Sequence, residues 1–170
     1  MKEARYKAYI DILKEELRPA LGCTEPIAVA YAAALAAREL GRLPKRVEIS
    51  VSGNIIKNVK SVIVPNTGGM RGLPAAAAAG IVAGDPDKEL EVIARVTDKQ
   101  KKDIADFLEA TQWSVREAAS TLIFDIQITL FCDNHSAVCR ITDYHTNVVY
   151  LEHDGCVLWD KPIQDKQDSH

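Results

Sequence analysis

Residues 124–130, FDIQITL, place Phe124, Ile126, Ile128 and Leu130 on one side of an extended chain and Asp125, Gln127 and Thr129 on the other. This is the two-residue period of a strand with one buried face. AVCRIT (137–142) and NVVYLE (147–152) continue the alternation, and HDG (153–155) ahead of CVLW (156–159) reads as a tight hairpin turn. The carboxyl-terminal part therefore reads as a run of consecutive strands.

Upstream of Trp113 the period is mostly helical. Tyr6, Ile10, Leu13 and Leu17 form one apolar stripe with lysines and glutamates opposite, and Pro19 ends that helix. Thr24 is placed to cap a second helix, with Pro26 in its first turn, IAVAYAAALAAREL as its body and Gly41 as its stop. Its many alanines predict close packing against other backbone. KRVEISVS (45–52) is an isolated strand with Val47, Ile49 and Val51 inward. A helical turn from Ile55 to Val59 follows, then a glycine loop, then an alanine-rich helix beginning near Leu73 or Pro74. Two more helical stretches, about Lys88 to Ile93 and Asp98 to Glu109, complete this half, with Gly84-Asp85-Pro86 as punctuation. Helices around a glycine-rich loop followed by a mainly antiparallel sheet, a meander, make an α+β fold rather than a doubly wound α/β fold.

The 170 residues suit one core, expected over residues 1–160, with the polar segment KPIQDKQDSH (161–170) as a tail or a truncation point. No stretch has the length and freedom from charge of a membrane span, and the amino terminus lacks the apolar core of a signal peptide, so a cytoplasmic location is expected. A net charge of −3 supplies no overall field for nucleic acid or an anionic membrane. Cys23, Cys132, Cys139 and Cys156 contain no C-x-x-C pair and are expected as thiols. Cys132 and Cys139, flanking DNHSAV, are the one disulfide pairing that spacing leaves open.

Three loops carry candidate chemistry. In RPALGCTEP (18–26), Cys23 sits beside a helix amino terminus, where the dipole and free N–H groups favour its thiolate; its alternative is a thiol filling a gap between helices. In PNTGGMRGLP (65–74), three glycines ahead of a helix let N–H groups converge on a carboxylate or phosphate, against the alternative of an ordinary turn. The lysine and hydroxyl of a Walker A loop are missing. Asn54, Lys57 and Asn58 lie just upstream at helical spacing. In YHTNVV (144–149), His145 between two strands is an acid, base or ligand, or else a turn cap.

RPALGCTEP, NIIKN, PNTGG and HTN, in that order, resemble the amino-terminal part of the L-cysteine desulfidase family, also described as serine-dehydratase alpha-chain-like proteins. The resemblance spans nearly the whole chain. It implies an enzyme with an oxygen-sensitive 4Fe-4S cluster that eliminates sulfide from L-cysteine, leaving pyruvate and ammonia, or a relative that dehydrates L-serine. It makes Cys23 a cluster ligand. Thr67, Gly68 and Gly69 would receive the substrate carboxylate, with Thr24 beside them and Asn54, Asn58 and Asn147 as orienting donors. His145, Lys57 and Glu25 are the candidate bases. Members of that family are much longer, and their other cluster cysteines lie in a carboxyl-terminal region, so Cys132, Cys139 and Cys156 do not match them. One thiolate cannot hold a cluster, and the chain alone is expected to fold without activity or a stably bound cofactor, needing a carboxyl-terminal catalytic region or partner subunit. Homo-oligomerisation is left open.

Three rivals stand beside this reading. The first is a non-catalytic amino-acid-binding or regulatory subunit. The second is a KH-like nucleic-acid module built on GMRG (69–72) with Lys57, Lys60 and Arg71, which the negative net charge opposes. The third is a thiol enzyme using Cys23 with His145, which needs the two within hydrogen-bond reach. A large apolar patch left open on the alanine-rich helices would point to a missing partner domain.

Overall fold

The computed structural model describes residues 24–163. The expected first helix, with Tyr6, Ile10, Leu13, Leu17 and Pro19, lies outside the described residues, as do Cys23 and residues 164–170. Helix α1 spans Glu25–Leu40, with Thr24 before it, Pro26 in its first turn and Gly41 after it. Gly41 takes φ 74°, where a Cβ would be strained, and its N–H closes the helix on the Ala37 carbonyl at 3.0 Å. Strand β1 (Arg46–Val51) and helices α2 (Gly53–Val59), α3 (Gly72–Ala83) and α4 (Asp98–Ala110) follow. The expected helix at Lys88–Ile93 is instead a short 3-10 segment, Pro86–Glu91, interrupted by Glu89 at φ 50°. A capping box starts α4: the Thr97 hydroxyl accepts from the Gln100 N–H, and the Gln100 side chain accepts from the Thr97 N–H.

Strands β2 (Gln112–Glu117), β3 (Asp125–Cys132), β4 (His135–Thr142), β5 (Val148–His153) and β6 (Cys156–Asp160) complete one sheet ordered β2-β1-β3-β4-β5-β6. Strands β3 to β6 form the expected antiparallel meander. The sheet as a whole is mixed, because β1 enters between β2 and β3 and pairs parallel with β2. A parallel pair needs a crossover, which α2, α3 and α4 provide. The turn between β5 and β6 places Asp154 at φ 51° and Gly155 at φ 81°, the paired left-handed conformation of a tight hairpin. The possible disulfide is corrected by register: Cys132 faces His135 and Cys139 faces Ile128, so the two are not neighbours and both are free thiols.

One face of the sheet carries Val47, Ile49 and Val51 of β1, Ile126, Ile128 and Leu130 of β3, and Ala137, Cys139 and Ile141 of β4, all buried. Helix α1 packs on β3 and β4 and, on its other side, against α3. It is buried nearly all round from Ala28 to Ala36, which is why it lacks a polar stripe. Gly80 of α3 lies over Ala30, and a Cβ there would stand 2.0 Å from the Ala30 carbonyl oxygen. The alanines expected to pack against backbone do so. They form no exposed patch; exposed apolar side chains instead include Val157, Leu158 and Trp159 on the edge strand β6.

Candidate functional site

Thr24 precedes α1 without capping it through its side chain. Its Oγ1 lies 2.8 Å from Nε2 of His145, in the loop between β4 and β5. The contact joins positions 121 residues apart and brings the first and third loops together. The imidazole rests on Phe124, with ring centroids 4.9 Å apart. Phe124 is tied to the same loop, because its carbonyl accepts from the Asp143 N–H at 3.1 Å. His145 is thus a half-buried, oriented imidazole beside a hydroxyl, a pair able to hold or move a proton at Nε2.

Asn147 is buried and engaged at both ends of its amide. Its Nδ2 donates to the Thr142 carbonyl at 2.8 Å, and its Oδ1 accepts from Lys161 Nζ at 2.7 Å. The expected orienting donor therefore shapes the loop that presents His145. A cleft of about 490 Å³ opens beside it, lined by Tyr144, Thr146, Asn147, Leu151, Trp159 and Lys161 among others. Lys161 was expected to begin a tail; its N–H instead donates to the Val149 carbonyl at 2.8 Å and its ammonium reaches the cleft. No local signal marks it, because its partner Asn147 and most of its neighbours in the cleft come from the β4–β5 loop and β5. Tyr144 and Trp159 were missed for the same reason.

The glycine loop is stapled by Thr67, whose buried hydroxyl donates to the Val64 carbonyl at 2.7 Å and accepts from the Met70 N–H at 3.1 Å. Gly68 and Gly69 form its exposed tip at φ 77° and 102°, positions only glycine takes without strain. Thr67 thus holds the loop from within and leaves its glycines at the surface. GMRG ends the long connection from α2 to α3: its Arg71 forms a β-bridge with Ile63 and donates its guanidinium to the Ser61 carbonyl, and its buried Gly72 already begins α3. A KH clamp is a tight turn joining two helices, whereas here a β-bridged connection separates α2 from α3, so the surroundings differ.

Gly80 lies over Ala30 and Gly84 over Ala34, so α1 and α3 run in the same direction along their contact. Their amino-terminal ends, with Thr24 at one and the glycine loop at the other, therefore lie at the same end of the helix pair. Asn54, Lys57 and Asn58 are exposed on α2, opposite the buried Ile55 and Val59. Ser52, unmarked in the sequence, anchors the start of α2 by donating to the Ile123 carbonyl at 2.7 Å. Glu25, in the first turn of α1, is half-buried.

The described thiols do not fit a 4Fe-4S cluster. Cys139 is buried in mid-strand, where burial pushes its thiol up to about 12 and keeps it protonated. Cys132 is buried at the end of β3, and Cys156 begins β6 at the edge of the sheet, across the turn from His153. A thiolate ligand set requires sulfurs converging on one point. Cys23, and with it the question of its reach to His145, falls outside the described residues.

The chain is similar to several UPF0597 proteins. It is 53% identical over 154 residues to one from Desulfitobacterium hafniense, a match covering 91% of this chain and 36% of that protein. A second, from Treponema denticola, is 41% identical over 163 residues, covering 96% of this chain and 38% of that protein. A third, from Finegoldia magna, is 47% identical over 155 residues, covering 89% and 37%. The chain thus spans little more than a third of the length of these relatives. No family model and no solved structure matches it.

Proposed function

We propose that this chain is the amino-acid-handling part of a longer iron-sulfur lyase, one that eliminates sulfide from L-cysteine or water from L-serine, and that it is inactive alone. The observation that carries the reading is the Thr24–His145 contact, which joins two of the motifs resembling the desulfidase family. The relatives' greater length agrees with it. In this reading the N–H groups of the exposed Gly68 and Gly69 take the substrate carboxylate. His145, oriented by Thr24 and Phe124, accepts the α proton as the carbon–sulfur or carbon–oxygen bond breaks. Water then converts the resulting enamine to pyruvate and ammonia. Since the described thiols do not fit a cluster, its ligands besides Cys23 belong to the rest of the longer protein.

The test is anaerobic coexpression with the downstream coding region, followed by assay of sulfide release from L-cysteine. His145→Gln is expected to lower kcat by about 100-fold or more, the usual loss for a positioned base, and Thr24→Val by about tenfold. Cys23→Ser should abolish activity. Full activity in His145→Gln would remove the base, and silence from folded, copurifying pieces would remove the lyase.

The second reading is a non-catalytic amino-acid-binding subunit, favoured by the absence of a converging thiol set among the described residues. It is distinguished by thermal stabilisation of the isolated chain by cysteine or serine without turnover.

A further inference from the structure

Away from the Thr24–His145 pair, at the opposite end of β4 and β5, two hairpin turns bring a second group of residues together. His135 opens β4 and His153 closes β5. His153 pairs with Ala137, so His135, two residues before Ala137 on β4, is its diagonal neighbour on the same face. Asp154 follows in the turn. Its N–H donates to the Ser136 carbonyl at 2.8 Å, and its Oδ1 accepts from the Ser136 N–H at 2.8 Å. The carboxylate is therefore held with Oδ2 directed at both imidazoles, 2.9 Å from His135 Nδ1 and 3.2 Å from His153 Nε2.

We propose that His135, His153 and Asp154 form a binding site for one divalent transition cation of the zinc class. Their three donor atoms lie within 4.8 Å of one another. Bonds of about 2.0–2.1 Å at tetrahedral or octahedral angles put neighbouring donors roughly 3 Å apart, so each imidazole already stands at a suitable distance from Asp154 and the two nitrogens close in from at most 4.8 Å to admit the ion. Two neutral imidazoles and one carboxylate supply the mixed nitrogen and oxygen set that suits borderline cations. The hydrogen bond from Ser136 to the free carboxylate oxygen is the kind of outer support that orients a ligand. Each side chain is about 40% exposed, at 39, 40 and 38%, which leaves coordination positions open to water or an external ligand. The site is separate from the proposed lyase chemistry, and its ligands come from two hairpins that the ion would clamp together.

The test uses the whole chain after chelator treatment, with zinc titrated by calorimetry and cobalt by absorption. One equivalent is expected to bind. His135→Ala and His153→Gln should each weaken binding at least about tenfold, and the double variant should abolish it, with circular dichroism confirming the fold. The cobalt spectrum should show weak d–d bands without intense thiolate charge transfer, separating this site from any made by cysteines. Zinc should also raise the melting temperature of the wild type and not that of the double variant. Failure of the wild type to bind, a thiolate spectrum, or unchanged binding in the double variant would each overturn the assignment.

Discussion

Cys139 and Cys156 carry the same side chain into opposite surroundings. Cys139 lies in the core, with its thiol pushed up to about 12 by burial, whereas Cys156 is exposed. Alkylation of the native protein at mildly alkaline pH should therefore modify Cys156 and spare Cys139 until the chain unfolds, as peptide mass spectrometry will read. The same shift links to stability. Below the ordinary thiol value of 9 both folded and unfolded states keep the proton. Between 9 and about 12 the unfolded chain ionises while the folded one does not, so this contribution falls as pH rises through that window. Cys139→Ala should flatten the alkaline decline of the denaturation midpoint; an unchanged slope would assign the decline to other groups. Asp125 carries a related lesson. It falls on the polar side of the β3 alternation, yet it is only 1% exposed because Arg140 meets it with two hydrogen bonds of 3.0 and 2.7 Å. Its burial is invisible locally, since the partner sits on the next strand.

Helices α1 and α3 meet where Gly80 leaves no room for a side chain. Gly80→Ala would set a methyl group 2.0 Å from a backbone oxygen of α1 that cannot rotate away, so the helices must separate. A loss of about 3 kcal/mol is expected, at the upper end of overpacking costs. Denaturant melts will measure it, and a cost below about 1 kcal/mol would show that the pair adjusts easily. The alanine runs made this contact readable. The amphipathic α4, with Ile104 and Phe107 inward, was equally legible. Strand β2 was not. Its residues QWSVRE are almost all exposed, and nothing in so polar an edge segment states that it pairs parallel with β1.

The six-stranded sheet has four internal strands, β1, β3, β4 and β5, of which β3, β4 and β5 meet α1, and two edges, β2 and β6. Hydrogen exchange should be slowest in β3 and β4, where α1 packs, and fastest in the edges, whose side chains are largely exposed. Equal protection of β6 would indicate that a second molecule covers that edge. Helices α1 to α4, the strand meander, the hairpin turn at Asp154-Gly155 and the positions of the glycine and His145 loops could be read in advance, because periodicity, caps and turn residues act over a few neighbours. Thr24 and His145 could be named separately but not joined, and the roles of Thr67 and Asn147 within their loops were hidden. Strand order, the Thr24–His145 pair and the meeting of His135, His153 and Asp154 came from packing, because register between segments depends on which faces bury together and no local pattern encodes it.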